Sequence, residues 1–189
     1  MNDVEGQATL NGEDLLASSA GQAAIGANQV LDTARGKVEL LLTPGVFLRV
    51  GNNSELRMVS PHAPRVAFEL VKGGAILEVD QSFEGVAFSV LMDGATAGIT
   101  KAGLYLFGAD QRSMGVLAGE AAVSQGKAHL TPKTGHGVFL LAGQRLKPQN
   151  LNMDAMQNEP FNLEQTQERV SGASECPGGP SDPGRRGRV

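Results

Sequence analysis

Three histidines, one cysteine and 20 acidic side chains are the groups through which this chain could do chemistry. His62 stands beside Pro61, His129 lies within an alternating segment, and His136 sits between Gly135 and Gly137. A metal site read from sequence needs a second His, Cys or carboxylate three or four residues away, and none of the three has one at that spacing. If Ala128 and Leu130 point inward, His129 points to solvent. Cys176 is followed by Pro177, Gly178, Gly179 and Pro180, a run that predicts no fold to position it as a nucleophile or ligand. Among the carboxylates, Glu69 and Glu78 fall on outward positions of alternating segments, and Asp80 and Glu84 flank a turn. Glycoside hydrolysis needs two carboxylates across one sugar ring, usually beside aromatic platforms. With seven Phe, one Tyr and no Trp, a sugar cleft is not expected. Gly73 and Gly74, and the series Gly115, Gly119 and Gly126, resemble phosphate loops only superficially. No Lys-Ser or Lys-Thr completes a P-loop, and no helix follows to offer its amino terminus. No serine occupies a Gly-x-Ser-x-Gly elbow. The expectation is therefore a protein that is not an enzyme, with no catalytic, cofactor-binding or metal-binding residue.

The elements that would carry any site are β-strands. Between about Val4 and Pro148 short apolar segments alternate with Gly, Asn, Asp or Pro, and several of them have period two. In residues 54–60 Leu56 and Met58 share one face; in 65–71 Val66, Phe68 and Leu70 do; in 75–79 Ala75, Leu77 and Val79 do. One core built on Leu56, Met58, Val66, Phe68, Leu70 and Leu77 is predicted. The turn chemistry is strong at Thr43-Pro44-Gly45, Gly51-Asn52-Asn53, Gly73-Gly74, Asp93-Gly94 and Gly135-His136-Gly137. Strand starts are predicted near residues 38, 46, 55, 66, 75, 87, 95, 103, 114, 121, 128, 137 and 145. That spacing excludes a βαβ fold and leaves a sandwich, a barrel or a short β-solenoid open; no repeat of fixed length is visible. Residues 21–34 read as loop and strand, and helix is expected only in the first ~35 residues and after Pro148. Residues 149–171 could form a helical extension on either side of Pro160, with Phe161 and Leu163 as docking residues. Residues 172–189, rich in Gly and Pro, read as a disordered tail.

Composition narrows the partners. Glycine supplies 25 of 189 residues, well above the usual ~7%, as many tight turns require. With 16 basic against 20 acidic side chains there is no electrostatic footprint for nucleic acid. The longest apolar run, Val138 to Ala142, is far short of the ~20 residues of a transmembrane helix. Met1 to Leu10 lacks the basic and apolar regions of a signal peptide, so either the chain is cytoplasmic or a leader has been removed.

Residues 36–60, "GKVELLLTPGVFLRVGNNSELRMVS", and 65–80, "RVAFELVKGGAILEVD", resemble the FecR domain, an all-β extracytoplasmic module of bacterial iron-responsive signalling proteins and of stand-alone envelope proteins. The carriers are the Gly-Asn-Asn-Ser step at 51–54 and the strand pair ending in "GGAILEVD". Downstream, "FSVLMDGATAGITKAGLYLFG" and "VLAGEAAVSQGKAHLTPKTGHGVFLLAGQRL" are similar to the later half of the family pattern, so the likeness runs over about residues 5–148. In place of the Gly-Thr-x-Phe step of the iron-signalling members stand Lys101, Ala102, Gly103, Leu104 and Tyr105. The helical sigma-factor-binding domain and membrane helix of those members have no counterpart in the sequence. The resemblance therefore implies a fold, β-solenoid-like or a twisted β-sandwich over residues 4–148, and a periplasmic or cell-surface setting; it supplies no catalytic residue. The function expected is a non-enzymatic envelope module that contacts a protein or a cell-wall polymer through exposed β edges and turns, with no cofactor. Self-assembly into a fibre or surface layer through uncapped edges is the second reading, and a carbohydrate-active β enzyme using Glu69, Glu78 or Asp80 the third.

Overall fold

Apolar residues alternating with polar ones, cut by residues that accept positive φ, produce strands too short to pair only with their neighbours in sequence, and so two sheets form. A computed structural model describes residues 1–80, 85–141 and 143–151. The amino-terminal strands are β1 (Asp3–Glu5), β2 (Ala8–Leu10) and β3 (Glu13–Leu15); a single 3-10 turn at Ala17–Ser19 precedes β4 (Val30–Thr33). Thereafter β5 (Lys37–Thr43) forms a hairpin with β6 (Val46–Val50), and β7 (Ser54–Ser60) with β8 (Arg65–Lys72). A lone β9 (Gly74–Val79) follows. Then come the hairpins of β10 (Ala87–Met92) with β11 (Ala95–Ile99), β12 (Gly103–Gly108) with β13 (Ser113–Ala118), and β14 (Ala121–Gln125) with β15 (Ala128–Leu130). The last pair is β16 (His136–Phe139) with β17 (Pro148–Asn150).

These units are dealt alternately to two sheets. The eight-stranded sheet runs β1-β5-β6-β9-β12-β13-β16-β17, and the nine-stranded sheet β15-β14-β11-β10-β8-β7-β4-β2-β3. Because β9 crosses to the other sheet between them, β8 and β10 lie side by side in parallel, whereas the other described ladders are antiparallel. A parallel pair requires such a crossover, here made by a strand instead of a helix.

One core cluster draws on both sheets: Leu48, Leu77 and Tyr105 from the first, Leu56, Phe68 and Phe88 from the second. Leu56, Met58, Val66, Phe68, Leu70 and Leu77 are all buried within it, as the period-two reading predicts. Every predicted strand start except the last falls within one residue of an observed strand; near 145 the chain is still irregular, and pairing resumes at Pro148. The Pro148–Asn150 ladder carries the sheet two residues past 148. The remainder of 149–171, the tail 172–189 with Cys176, and Glu84 lie outside the described residues.

Two junctions explain why particular glycines stand where they do. The Gly-Asn-Asn-Ser step ties the sheets together: the Ser54 N–H donates to Thr33 Oγ1 at 3.0 Å, and the Gly74 N–H to Ser54 Oγ at 3.0 Å. Thr33 and Ser54 are buried and fully engaged, which removes the cost of burying their hydroxyls. Gly73, at φ +75, would bring a Cβ to 2.2 Å from Ser54 Oγ, so a side chain there would break this junction. At the second junction the Tyr105 hydroxyl donates to the Lys101 carbonyl and accepts from the Glu120 N–H at 3.2 Å. Gly119, at φ +99, passes close enough that a Cβ would sit 2.2 Å from Tyr105 Oη.

Candidate functional site: the outer face of the eight-stranded sheet

The side chains singled out by type do not converge. His62, His129 and His136 are all exposed; His129 points outward as predicted, and His136 Nδ1 lies 3.1 Å from the Thr134 carbonyl. Among the described residues no group of three His, Cys, Asp or Glu is placed to hold a metal ion. Glu69 projects from the outer face of the nine-stranded sheet, where it meets Arg57 at 3.4 Å; Glu78 projects from the outer face of the eight-stranded sheet. With the core between the two sheets, these carboxylates face opposite sides of the domain. Asp80 follows β9 directly.

What the register does assemble lies on β5, β6 and β9. Glu39 stands opposite Arg49, and Arg49 opposite Ile76; on the next row Leu41 stands opposite Phe47, and Phe47 opposite Glu78. Arg49 Nε donates to Glu39 at 2.8 Å and its Nη1 to Glu78 at 2.7 Å, so one guanidinium clamps two carboxylates. Such charge-assisted bonds from a rigid fork hold both partners in a fixed geometry. The Arg49 guanidinium also lies 5.8 Å from the Phe47 ring centroid, within cation–π range. Asn2 Nδ2 donates to the second Glu39 oxygen.

Beside this clamp the face is apolar. Ile76 is fully buried yet is not part of the core cluster, because it points away from the core on the opposite side to Leu77. Its neighbour across the ladder is Leu106, with Leu104 two residues along on the same side; both are half-buried. Leu41 and Phe139, each 48% exposed, widen the apolar surface. The reading of the strands as polar on their outer faces therefore holds for most of the nine-stranded sheet, which presents Thr9, Asp32, Arg57, Glu69, Ser89 and Thr96 with Val59, Val71 and Leu91 as exceptions, and needs correction for the eight-stranded one. Period-two patterning locates Glu39, Arg49 and Glu78 outward, and the β5–β6 hairpin sets Glu39 opposite Arg49, but the contact of Arg49 with Glu78 depends on β6 pairing with β9, across the two intervening strands β7 and β8.

A second cluster sits at the Tyr105 junction. Glu120 meets Lys101 at 3.3 Å and Lys133 at 3.5 Å. The hydrogen bond from Lys101 is the main cause holding the Glu120 carboxyl below its usual range, and the charges of Lys101 and Lys133 act in the same direction. Burial pushes the Tyr105 phenol up. These groups pin a bulged strand, and their geometry is structural.

At the amino-terminal end a shallow cleft of about 330 Å³ runs along β2, β3 and β4, with Asp14 and Asp32 on its wall. Among the described residues the terminal strands of both sheets are blunt: β1, β17, β3 and β15 are three residues each, carrying Asp3 and Glu5, Pro148, Glu13 and Asp14, and His129 respectively. Short charged or proline-bearing edges resist pairing with another chain.

No family model matches the chain, and no curated protein matches it. Among solved structures it is similar to two of a protein described as a "putative anti-sigma factor" from Parabacteroides distasonis ATCC 8503. The first has a TM-score of 0.55 at 14% identity, over 64% of this chain and 59% of that one. The second has a TM-score of 0.53 at 15% identity, over 63% and 57%. The chain thus spans under two thirds of the protein it resembles. The class defined here is a two-sheet, nearly all-β fold shared with that protein; the likeness is one of fold.

Proposed function

We propose that the chain is a non-enzymatic signalling or scaffold module of the bacterial cell envelope, related to FecR domains, and that it binds a protein partner through the outer face of its eight-stranded sheet. The observation that carries this reading is the apolar surface on the outer face of the eight-stranded sheet, exposed Leu41 with Phe47 on one side of the Glu39–Arg49–Glu78 clamp and half-buried Leu104 and Leu106 on the other, against a mostly polar face on the other sheet. Partly exposed apolar side chains clustered around a few polar groups on one face are a common mark of a protein-interaction site. The FecR-like motifs and the fold likeness to a protein described as an anti-sigma factor support a signalling role, and the FecR resemblance supports a periplasmic or cell-surface setting. The blunt edges favour a face over an edge as the contact, and they weigh against stacking into fibres.

The test is a photo-reactive amino acid placed at Leu106, or at Thr96 on the opposite outer face, in the native cells. A discrete protein adduct from position 106, absent from position 96, is expected. Adducts only from position 96 or from edge strands, or cross-linking only to glycan, would overturn the proposal.

A further inference from the structure

The β2–β3 hairpin reverses on two residues, Asn11 and Gly12, both exposed and both at positive φ, 52° and 82°. An Asn-Gly pair suits a two-residue reversal of this kind. Of the asparagines in the chain only Asn11 is followed by glycine; Asn28 and Asn53, also at positive φ, precede Gln29 and Ser54. The glycine leaves the peptide nitrogen after Asn11 unobstructed, and a Cβ placed on Gly12 would meet nothing within 4 Å. Asn11 is also tied to β4. Its N–H donates to the Val30 carbonyl at 2.8 Å, and the Val30 N–H donates to its Oδ1 at 2.9 Å. Beyond the turn β3 is a three-residue terminal strand, held by its ladder to β2 and by the buried Leu15. Terminal elements of this kind open locally at far lower cost than the core.

We propose that Asn11 is a site of spontaneous deamidation, closed while its side chain is bonded to Val30 and opened when the β2–β3 hairpin frays. In the reaction the Gly12 nitrogen attacks Asn11 Cγ and gives up its proton; the new N–Cγ bond replaces the Cγ–Nδ2 bond, and ammonia leaves. Water then opens the five-membered imide at one carbonyl or the other, giving aspartate or isoaspartate with no change of oxidation state. Attack requires Cγ to swing over the Gly12 nitrogen, a movement that the bond to Val30 opposes. The two products differ in what they do to the fold. Aspartate keeps a side-chain oxygen for the Val30 N–H. Isoaspartate routes the main chain through the former side chain and lengthens it by a methylene, so the two-residue turn no longer sets Leu10 opposite Glu13. β3 then detaches, and with it Asp14, Leu15 and Leu16, which line the cleft along β2, β3 and β4. Opening of this hairpin is thereby recorded by a change that closing does not undo.

The experiment incubates the full chain in mildly alkaline buffer, folded and in unfolding urea, and follows each asparagine by peptide mapping that separates aspartate from isoaspartate. In urea Asn11 should convert faster than any other asparagine, and in the folded chain at least about tenfold more slowly than in urea. Leu15→Ala, which loosens β3, should speed conversion in the folded chain by about threefold or more; if that variant does not fold, Leu15→Val takes its place. Gly12→Ala should slow conversion in urea, where the turn plays no part. Amide exchange over residues 13–15 should be faster in the purified isoaspartate form and unchanged in Asn11→Asp. Equal rates at Asn11 in the folded and unfolded chain, or faster conversion of another asparagine in urea, would overturn the proposal. So would a Leu15 variant whose β3 amides exchange faster while conversion at Asn11 does not, or an isoaspartate form that keeps full protection over residues 13–15.

Discussion

Replacing Arg49 by Met keeps most of the side-chain stem and removes the guanidinium that joins Glu39 to Glu78. The side chains involved are 17, 10 and 24% exposed, between a surface pair and a buried one. Each charge-assisted bond at 2.7–2.8 Å then contributes about 0.5–1.5 kcal/mol net after solvent screening. The two carboxylates left behind, each within 2.8 Å of the same guanidinium in the folded protein, start no more than about 8 Å apart, where unit charges repel by about 0.5–2 kcal/mol at effective dielectrics of 80 to 20. Arg49→Met should therefore cost about 2–4 kcal/mol, with the repulsive part declining as salt is added. The triple change Arg49→Met, Glu39→Gln and Glu78→Gln leaves no unpaired charge and should cost less than the single change, since removing a whole ionic cluster is often near neutral. Urea unfolding at low and high salt measures both, provided the slope of the transition is unchanged. A single-variant loss below about 0.5 kcal/mol, or a triple variant as unstable as the single one, would refute the reasoning that the clamp is a coupled unit.

Three further outcomes follow from the packing and the shifted groups. Phe68→Ala, at a fully buried core position, should cost about 3–5 kcal/mol in the same assay; a loss under about 1 kcal/mol would mean that the core does not depend on that strand face. Tyr105→Phe leaves the Lys101 carbonyl and Glu120 N–H without their partner and should cost about 1–3 kcal/mol. Because burial raises the phenol above its ordinary value of 10.0, its stabilising contribution is complete below that pH and is lost as pH rises through the raised value; the Phe variant should lack this alkaline limb in thermal melts. Glu120, held below its ordinary 4.5 chiefly by Lys101, stabilises the fold above that pH and less as pH falls through its lowered value. The melting difference between wild type and Glu120→Gln should therefore shrink in acid, and an equal difference at neutral pH and near pH 3 would contradict the pairing.

The parts of the fold legible in the sequence are those written by local period and turn chemistry. Leu56, Met58, Val66, Phe68 and Leu70 alternate cleanly, and positive φ at Asn53, Gly73, Asp93 and Gly94 marks where strands end. Illegible were β1 to β3, three residues each, because a three-residue strand has too few positions to show a period and is made by its ladder partners, β5 for β1, β4 for β2 and β2 for β3. Equally hidden was the clamp. Glu39, Arg49 and Glu78 are each ordinary outward residues, and they meet because β7 and β8 leave for the other sheet, bringing β9 against β6. Ile76 shows the limit of alternation most directly: the pattern that puts Ala75, Leu77 and Val79 inward puts Ile76 outward, and only the cross-strand neighbours on that side decide that it is buried.

Edges and faces on this domain are treated in opposite ways, and the contrast bears on how it meets other molecules. A sheet protein that assembles through its edges keeps at least one long, flat strand with free amides; here each terminal strand is three residues long and carries acidic, imidazole or proline residues. The outer face of the nine-stranded sheet is mostly polar, with Leu91, Val59 and Val71 set singly among polar residues. On the eight-stranded sheet an arginine instead spends both arms of its fork on internal carboxylates beside Phe47, Ile76, Leu104 and Leu106. A satisfied clamp can be covered by a partner at lower desolvation cost than three free charges, because its hydrogen bonds are already made within the chain. On the proposed reading the contact is therefore this face, since among the described residues the short, charged or proline-bearing edges leave no long strand for another chain to pair with.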